Sequence, residues 1–234
     1  MKYKPLLLLL LPLFASAASM PGDFYTEGPT TAKKIALTFD DGPGPNTQQF
    51  LDLLDRYQVK ATFFMLSNQV KLRPAVAKAV VERGHEIANH TTQHMNYKAR
   101  LKKVRATAPE GAVERVKAEL VKDMEFSRVI IEKTTGRKLK ILRMPHGIDG
   151  PWVREAAKQA GFIVVNWTYG SDWASSPIVQ QVPGYIRAIR PGAIILLHDG
   201  WPKSQKSLEI TEAVIKAAKE KGYEMVTVGE LLGI

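Results

Sequence analysis

Thr38-Phe39-Asp40-Asp41-Gly42-Pro43 sets two adjacent carboxylates directly behind the apolar run Ile35-Ala36-Leu37. Two ionised carboxylates this close are costly unless a cation or a proton compensates one of them. Gly42-Pro43 forces a turn immediately beyond them. Adjacent residues leaving a strand point in roughly opposite directions, so Asp40 and Asp41 can serve different partners. Further on, His90-Thr91-Thr92-Gln93-His94 holds two imidazoles at i and i+4, on one face if the segment is helical. Two His and one carboxylate give a metal three protein ligands and leave positions open for water and substrate, the pattern of a catalytic centre. Asp41, arriving from another strand end, supplies that carboxylate. Taken alone, the two imidazoles read equally as surface histidines, and the acidic turn as a helix cap.

Three later stretches add polar groups. Arg143-Met144-Pro145-His146-Gly147 ends an apolar run in a tight turn. Arg143, permanently charged, can orient a carboxylate such as Asp40, and the turn's backbone N–H groups can face a developing oxyanion. Trp167-Thr168-Tyr169-Gly170-Ser171-Asp172-Trp173 combines three aromatics with one acid. Trp167 reads as core, and Trp173 beside Asp172 as a site wall. Leu196-Leu197-His198-Asp199-Gly200 places an imidazole at the end of an apolar run. It suits a general acid tuned by a carboxylate such as Asp172. His85 reads as a packed or hydrogen-bonded residue at a strand start. Lys98, Arg100, Lys102, Lys103 and Arg105 form a basic run, a solvated face in its plainest reading and a grip on an anionic polymer in the other.

The elements that must position these groups alternate along the chain. Strands are expected at Ile35–Phe39, Ala61–Leu66, Glu86–Ala88, Lys140–Arg143, Ile163–Trp167, Ala193–Leu197 and Glu224–Val228. Between them lie amphipathic helices marked by Phe50, Leu51, Leu54 and Tyr57, by Val76, Ala79 and Val80, and by Val113, Val116, Leu120, Met124 and Ile131. Two more end at Gly161 and Gly222, while Ile178–Arg190 is interrupted by Pro183. Parallel strands need crossover helices, so the pattern predicts an α/β fold in one domain. A doubly wound sheet is compatible with it. Polar residues gathered at the ends of several strands favour a barrel with its site on the C-terminal rim.

The chain has 234 residues, 45% of them hydrophobic and 24% charged, enough for a sizeable core. Lys2 and Lys4, the run Leu6–Phe14 and Ala15-Ser16-Ala17 form a cleavable secretory signal over residues 1–17. The run is shorter than the roughly 20 residues that a membrane span needs. A lead-in segment, 18–33, precedes the main domain, 34–234. The chain contains no cysteine, so no lipid anchor follows the signal and packing alone must hold an exported fold. The formal charge of +10 suits the anionic polymers of a cell surface; nucleic acid is not the expected partner of an exported chain.

With these motifs in place, the chain resembles the polysaccharide deacetylases, carbohydrate esterase family 4, or NodB homology domain. Five motifs match in order between residues 34 and 199. The resemblance implies a distorted (β/α)7 barrel, similar to a TIM barrel, and metal-dependent hydrolysis of acetyl groups from N- or O-acetylated glycans. It implies one divalent ion, zinc first, with Co2+, Mn2+ or Ni2+ as alternatives, held by Asp41, His90 and His94. Asp40 matches the catalytic base, Arg143 the residue that orients it, His198 the general acid and Asp172 the acid that tunes it. Trp173 and Leu196 match the walls of the acetyl pocket, with Pro145 and His146 on the substrate-binding side. Four features depart from the family pattern: His146 in place of an aromatic, Met144 and Met95 in place of prolines, Gly170 in place of an acid, and a longer segment between His94 and Arg143. The expected location is secreted, periplasmic or cell-envelope. A catalytically silent carbohydrate-binding module and a metal-dependent amidohydrolase of small amides are the alternatives.

Overall fold

The computed structural model describes residues 19–200 and 204–234, so the segment read as a signal, residues 1–17, lies outside the described residues. The chain runs β1 (Phe24–Tyr25), β2 (Lys34–Gly42), α1 (Thr47–Tyr57), β3 (Thr62–Met65), α2 (Ser67–Leu72), α3 (Pro74–Glu82) and β4 (Glu86–Asn89). It continues with α4 (Tyr97–Thr107), α5 (Ala112–Thr135), β5 (Ile141–Leu142), α6 (Pro151–Gln159), β6 (Ile163–Val165), α7 (Ile178–Ala188), β7 (Ile194–His198), α8 (Gln205–Glu220), β8 (Glu224–Val226) and α9 (Val228–Leu232).

All named strand pairs are parallel, in the order β1-β6-β5-β4-β3-β2-β7. The first half of β2 pairs with β8 and the second half with β7. Beyond β6, Tyr169 bridges Ile195 of β7, the Thr168 N–H donates to the Ile194 carbonyl at 2.8 Å, and the Leu196 N–H donates to the Tyr169 carbonyl at 2.9 Å. Those contacts join the two ends of the sheet into a distorted barrel.

The period of two along each strand divides the core. Ile35, Leu37 and Phe39 of β2 join Phe63, Leu142, Val164, Ile195 and Leu197 in the large cluster under the helices. Ala36 joins Phe64, Ala88, Ile141, Ile163, Val165, Ile194 and Val226 in a smaller cluster drawn from seven strands, which is the barrel interior. Val228 and Leu231 of α9 belong to it too, so α9 plugs the end where the strands begin. Alternation then carries Thr38, Asp40, Arg143, Leu196 and His198 on the same inward face toward the opposite rim.

The seven expected strands all form, each within one to three residues of its expected end. β1, from the lead-in segment, is an eighth: Phe24-Tyr25 stands between Asp23 and Thr26, with no apolar run to mark it. The basic run, read as preceding a helix, itself forms α4, where the buried Tyr97, Leu101 and Val104 supply a narrow apolar stripe. α7 runs straight through Pro183. The bond lost there belongs to the Val179 carbonyl, and both residues are exposed, so water replaces it.

Candidate active site

At the end of β2 the pairing with β3 slips between Asp40 and Gly42, a bulge whose extra residue, Asp41, has φ 70°. The bulge overrides the simple alternation of strand neighbours. Both carboxylates consequently face one imidazole, with His90 Nε2 3.4 Å from Asp41 Oδ1 and 3.8 Å from Asp40 Oδ2. They still have separate second partners, His94 for Asp41 at 3.4 Å and Arg143 for Asp40 at 2.7 Å. The bulge packs against the turn after β7, where the Cβ that Gly200 lacks would lie 2.1 Å from the Asp41 carbonyl oxygen.

His90 and His94 do not lie on a helix. The loop after β4 brings them together with left-handed turns at Thr91 (φ 69°) and His94 (φ 59°). Side chains that sequence reasoning missed hold this loop from α5 and β4. Asp123 accepts from the Thr92 N–H at 3.0 Å, Ser127 donates to the Thr91 carbonyl at 2.9 Å, and Asn89 accepts from the Thr91 N–H at 2.8 Å. No spacing rule links residues of α5 to a loop thirty positions earlier.

Arg143 is fully buried, a charge that must be paired to be tolerated. Its Nη1 donates to Asp40 Oδ1 and to Thr38 Oγ1, its Nε to the Val165 carbonyl and its Nη2 to the Asn166 carbonyl, all within 2.7–3.0 Å. The guanidinium also stacks 3.9 Å over Phe64. One oxygen of Asp40 is thereby fixed, and the other is left toward the cavity.

On the far wall His198 Nδ1 lies 2.8 Å from Asp172 Oδ1. The other oxygen of Asp172 accepts from the His198 N–H at 2.8 Å and from Ser207 Oγ at 2.6 Å. Tyr185 Oη accepts from the N–H groups of Ser171 and Asp172, at 2.9 and 3.0 Å. Burial lowers the His198 pKa, but Asp172, with Asp40 and Asp41 behind it, outweighs burial and raises it above the ordinary value. The imidazole therefore keeps its proton to higher pH. Burial likewise lowers His90, and Asp40, Asp41 and the Arg143 carbonyl raise it overall. Burial would raise Asp41, yet His90, His94 and His198 hold it well below the carboxylate range. These signs describe a negative site that favours a cation.

His90 Nδ1 lies 2.8 Å from the Arg143 carbonyl oxygen, which can only accept. Nδ1 therefore carries a proton, and Nε2, buried and without a hydrogen-bond partner among the described residues, is the atom available to a metal. Asp41, His90 and His94 offer one ligand atom each, all within 4.8 Å of one another. Two ligands about 2.1 Å from a tetrahedral ion stand about 3.4 Å apart, the separation of Asp41 Oδ1 from either imidazole Nε2. The donor set fits a divalent metal.

These residues open onto a cavity of about 650 Å³. Asp40, Asp41, His90, His94, His146, Trp173, Leu196 and His198 line it, while Arg143 and Asp172 stand behind Asp40 and His198. Pro145 is buried in the turn, and the His146 ring, exposed, packs edge-on against His94 at 4.5 Å. Trp173 packs edge-on against His198 at 5.7 Å. At Gly170 an added Cβ would lie 2.8 Å from Leu196 Cβ, which explains why no larger residue stands there. His85 is packed, edge-on to Phe63 at 5.6 Å, and burial pushes its pKa down to about 4. Asp199 is a further residue that sequence reasoning missed: it is fully buried, accepts from Thr47 Oγ1, and burial pushes its carboxyl up to about 7.

A parallel barrel whose C-terminal rim gathers carboxylates and imidazoles around one cavity has the architecture of a hydrolase. Residues 27–165 match the model of the family described as polysaccharide deacetylase. A peptidoglycan-N-acetylglucosamine deacetylase of Bacillus cereus is 34% identical over 210 residues, 88% of this chain and 91% of the relative. A chitooligosaccharide deacetylase of Sinorhizobium fredii is 35% identical over 178 residues, 75% and 76% of the two chains. A crystal structure of a peptidoglycan N-acetylglucosamine deacetylase in complex with 4-naphthalen-1-yl-N-oxidanyl-benzamide has a TM-score of 0.77 at 28% identity, covering 91% of this chain and 94% of that one. The chain belongs to the polysaccharide deacetylase family. It is accordingly a hydrolase of carbon–nitrogen bonds other than peptide bonds.

Proposed function

We propose that the protein is an exported deacetylase that releases acetate from N-acetylated glycans of the cell envelope, using a divalent ion held by Asp41, His90 and His94. The observation that carries this reading is His90 Nε2, buried without a hydrogen-bond partner among the described residues and 3.4 Å from a carboxylate shared with His94. Zinc suits two imidazoles and one carboxylate best. When bound, the ion supplies a Lewis acid that polarises the acetyl carbonyl and acidifies water.

The chain's own groups do the rest. Asp40, gripped at Oδ1 by Arg143, takes a proton from the attacking water on its cavity-facing Oδ2. Backbone N–H groups of the turn at His146 face the oxygen on which negative charge develops. Asp172 holds Nδ1 of His198, so the proton on Nε2 is aimed into the cavity and passes to the leaving nitrogen. Base and acid sit in different electrostatic environments, which lets one site run both steps near neutral pH. Trp173 and Leu196 form the wall against which the acetyl methyl packs.

Export rests on Lys2, Lys4 and Ala15-Ser16-Ala17, which put the start of the exported chain near Ala18. Among the described residues, no helix is long and apolar enough to cross a membrane. Acetate release from a panel of acetylated glycans, with and without chelator, tests the reading. Metal-dependent release is expected. No release by metal-loaded protein from any glycan would make the chain a silent carbohydrate-binding module, and release from small amides alone would make it an amidohydrolase.

A further inference from the structure

A second concavity, of about 790 Å³, lies beside the catalytic one, and His146 and Gly147 belong to the walls of both. One side of it is α4. Lys98, Lys102 and Arg105 fall there at i, i+4 and i+7, a single helix face, and all three are exposed. Among the described residues no carboxylate lies within ion-pair distance of these three. Arg100, on the same helix, is different: its guanidinium makes two hydrogen bonds of 2.8 Å to Glu119. On the other side of the groove stand Asp149 and the half-buried indole of Trp152. Asp149 is already neutralised by Arg154, at 2.9 and 2.7 Å.

Among the described residues, the groove therefore presents three uncompensated cations to one aromatic face, and the one acid that lines it, Asp149, is spent on another partner. Cations one turn apart repel each other mildly, and an anion laid along them removes that repulsion. An indole offers the apolar face of a sugar ring a flat surface. The groove continues the catalytic cavity, so its natural occupant is more of the chain that enters that cavity.

We propose that this groove is a subsite for carboxylate groups on the same glycan chain, making the preferred substrate an acetylated glycan that bears carboxylates rather than a neutral one. The inference rests on the deacetylase reading of the catalytic cavity. It also accounts for the longer segment between His94 and Arg143, since α4, which lies within it, builds the charged wall.

The test uses the metal-loaded chain and its Lys98→Gln/Lys102→Gln/Arg105→Gln variant. Two soluble acetylated oligomers of equal length are compared, a neutral chitooligosaccharide and one whose sugars carry lactyl carboxylates. For the acidic oligomer, kcat/KM is expected to fall on the order of tenfold in the variant, through KM, as the loss of three solvent-exposed ion pairs gives. The neutral oligomer's rate should not move, which also certifies the variant's fold. High salt should erase the wild-type preference. Equal losses on both oligomers, or no loss on the acidic one, overturn the proposal. If neither oligomer is turned over, the deacetylase reading falls instead. Calorimetric binding of the acidic oligomer then decides the groove, and equal affinity for both proteins overturns it.

Discussion

Asp40 and Asp41 are neighbours in sequence and both face His90, but their other partners differ, so they should fail in different ways. Asp41→Asn removes the charged member of the proposed metal set, and bound metal and acetate release should fall together. Asp40→Asn leaves all three ligands in place, so it should keep its metal and lose rate by about 10²–10⁴, the usual weight of a general base. Metal analysis of both variants beside their rates decides this; loss of metal from Asp40→Asn would break the assignment. On the opposite wall, His198, the proposed general acid, can act only while protonated. Its pKa is lowered by burial and raised overall by Asp172, Asp40 and Asp41. Asp172→Asn takes away the closest of these charges, so the alkaline limb of kcat/KM should move to lower pH. An unmoved limb would mean that some other group sets it.

At the scale of elements, the site depends on one strand end and one loop. The β2 bulge is held against the end of β7, where the Gly200 backbone leaves no room for a side chain beside the Asp41 carbonyl. Gly200→Ala must push these segments apart, at a cost of about 1–3 kcal/mol. Because the displaced residue carries a ligand, metal affinity should drop along with the melting temperature. Denaturation and metal titration of the variant check both, and a normal metal affinity would show that the bulge tolerates displacement. The His90–His94 loop depends instead on α5, through Asp123 and Ser127. Neither side chain reaches the cavity.

For the whole molecule, the proposed metal site predicts a link between binding and folding, because Asp41, His90 and His94 come from β2 and from the loop after β4, and meet only in the closed barrel. A ligand at about 100 times its Kd adds about 2.7 kcal/mol, which for a chain of this size moves the melting point by roughly 5–10 °C. A chelator should lower the wild-type melting temperature by that much and leave Asp41→Asn unchanged. Equal shifts in both proteins would place the stabilising ion elsewhere.

Short apolar runs and glycine-ended helical patterns were enough to mark the seven strands β2 to β8 and the parallel class, because burial writes itself into residue spacing. Residue chemistry did the same for the site: Asp40, Asp41, His90, His94, Arg143, Asp172 and His198 are polar types set at strand ends, where a core would not want them. What spacing could not carry is anything closed by long-range contact. β1, which lies in no apolar run, and the Thr168–Tyr169 bridge that closes the barrel leave no local signal to read. The bulge that turns two successive carboxylates onto one imidazole is set by packing against Gly200, 159 positions away. The loop that replaces a helix between His90 and His94 is held by side chains of α5. Asp199 lies within a motif the sequence did mark, yet only the fold shows that it is completely buried and close enough to Asp41 and Asp40 for them to help raise its pKa. Local pattern determined the elements and the chemical types. Tertiary packing decided which atoms meet, since hydrogen bonds and burial depend on distances in space that residue spacing does not encode.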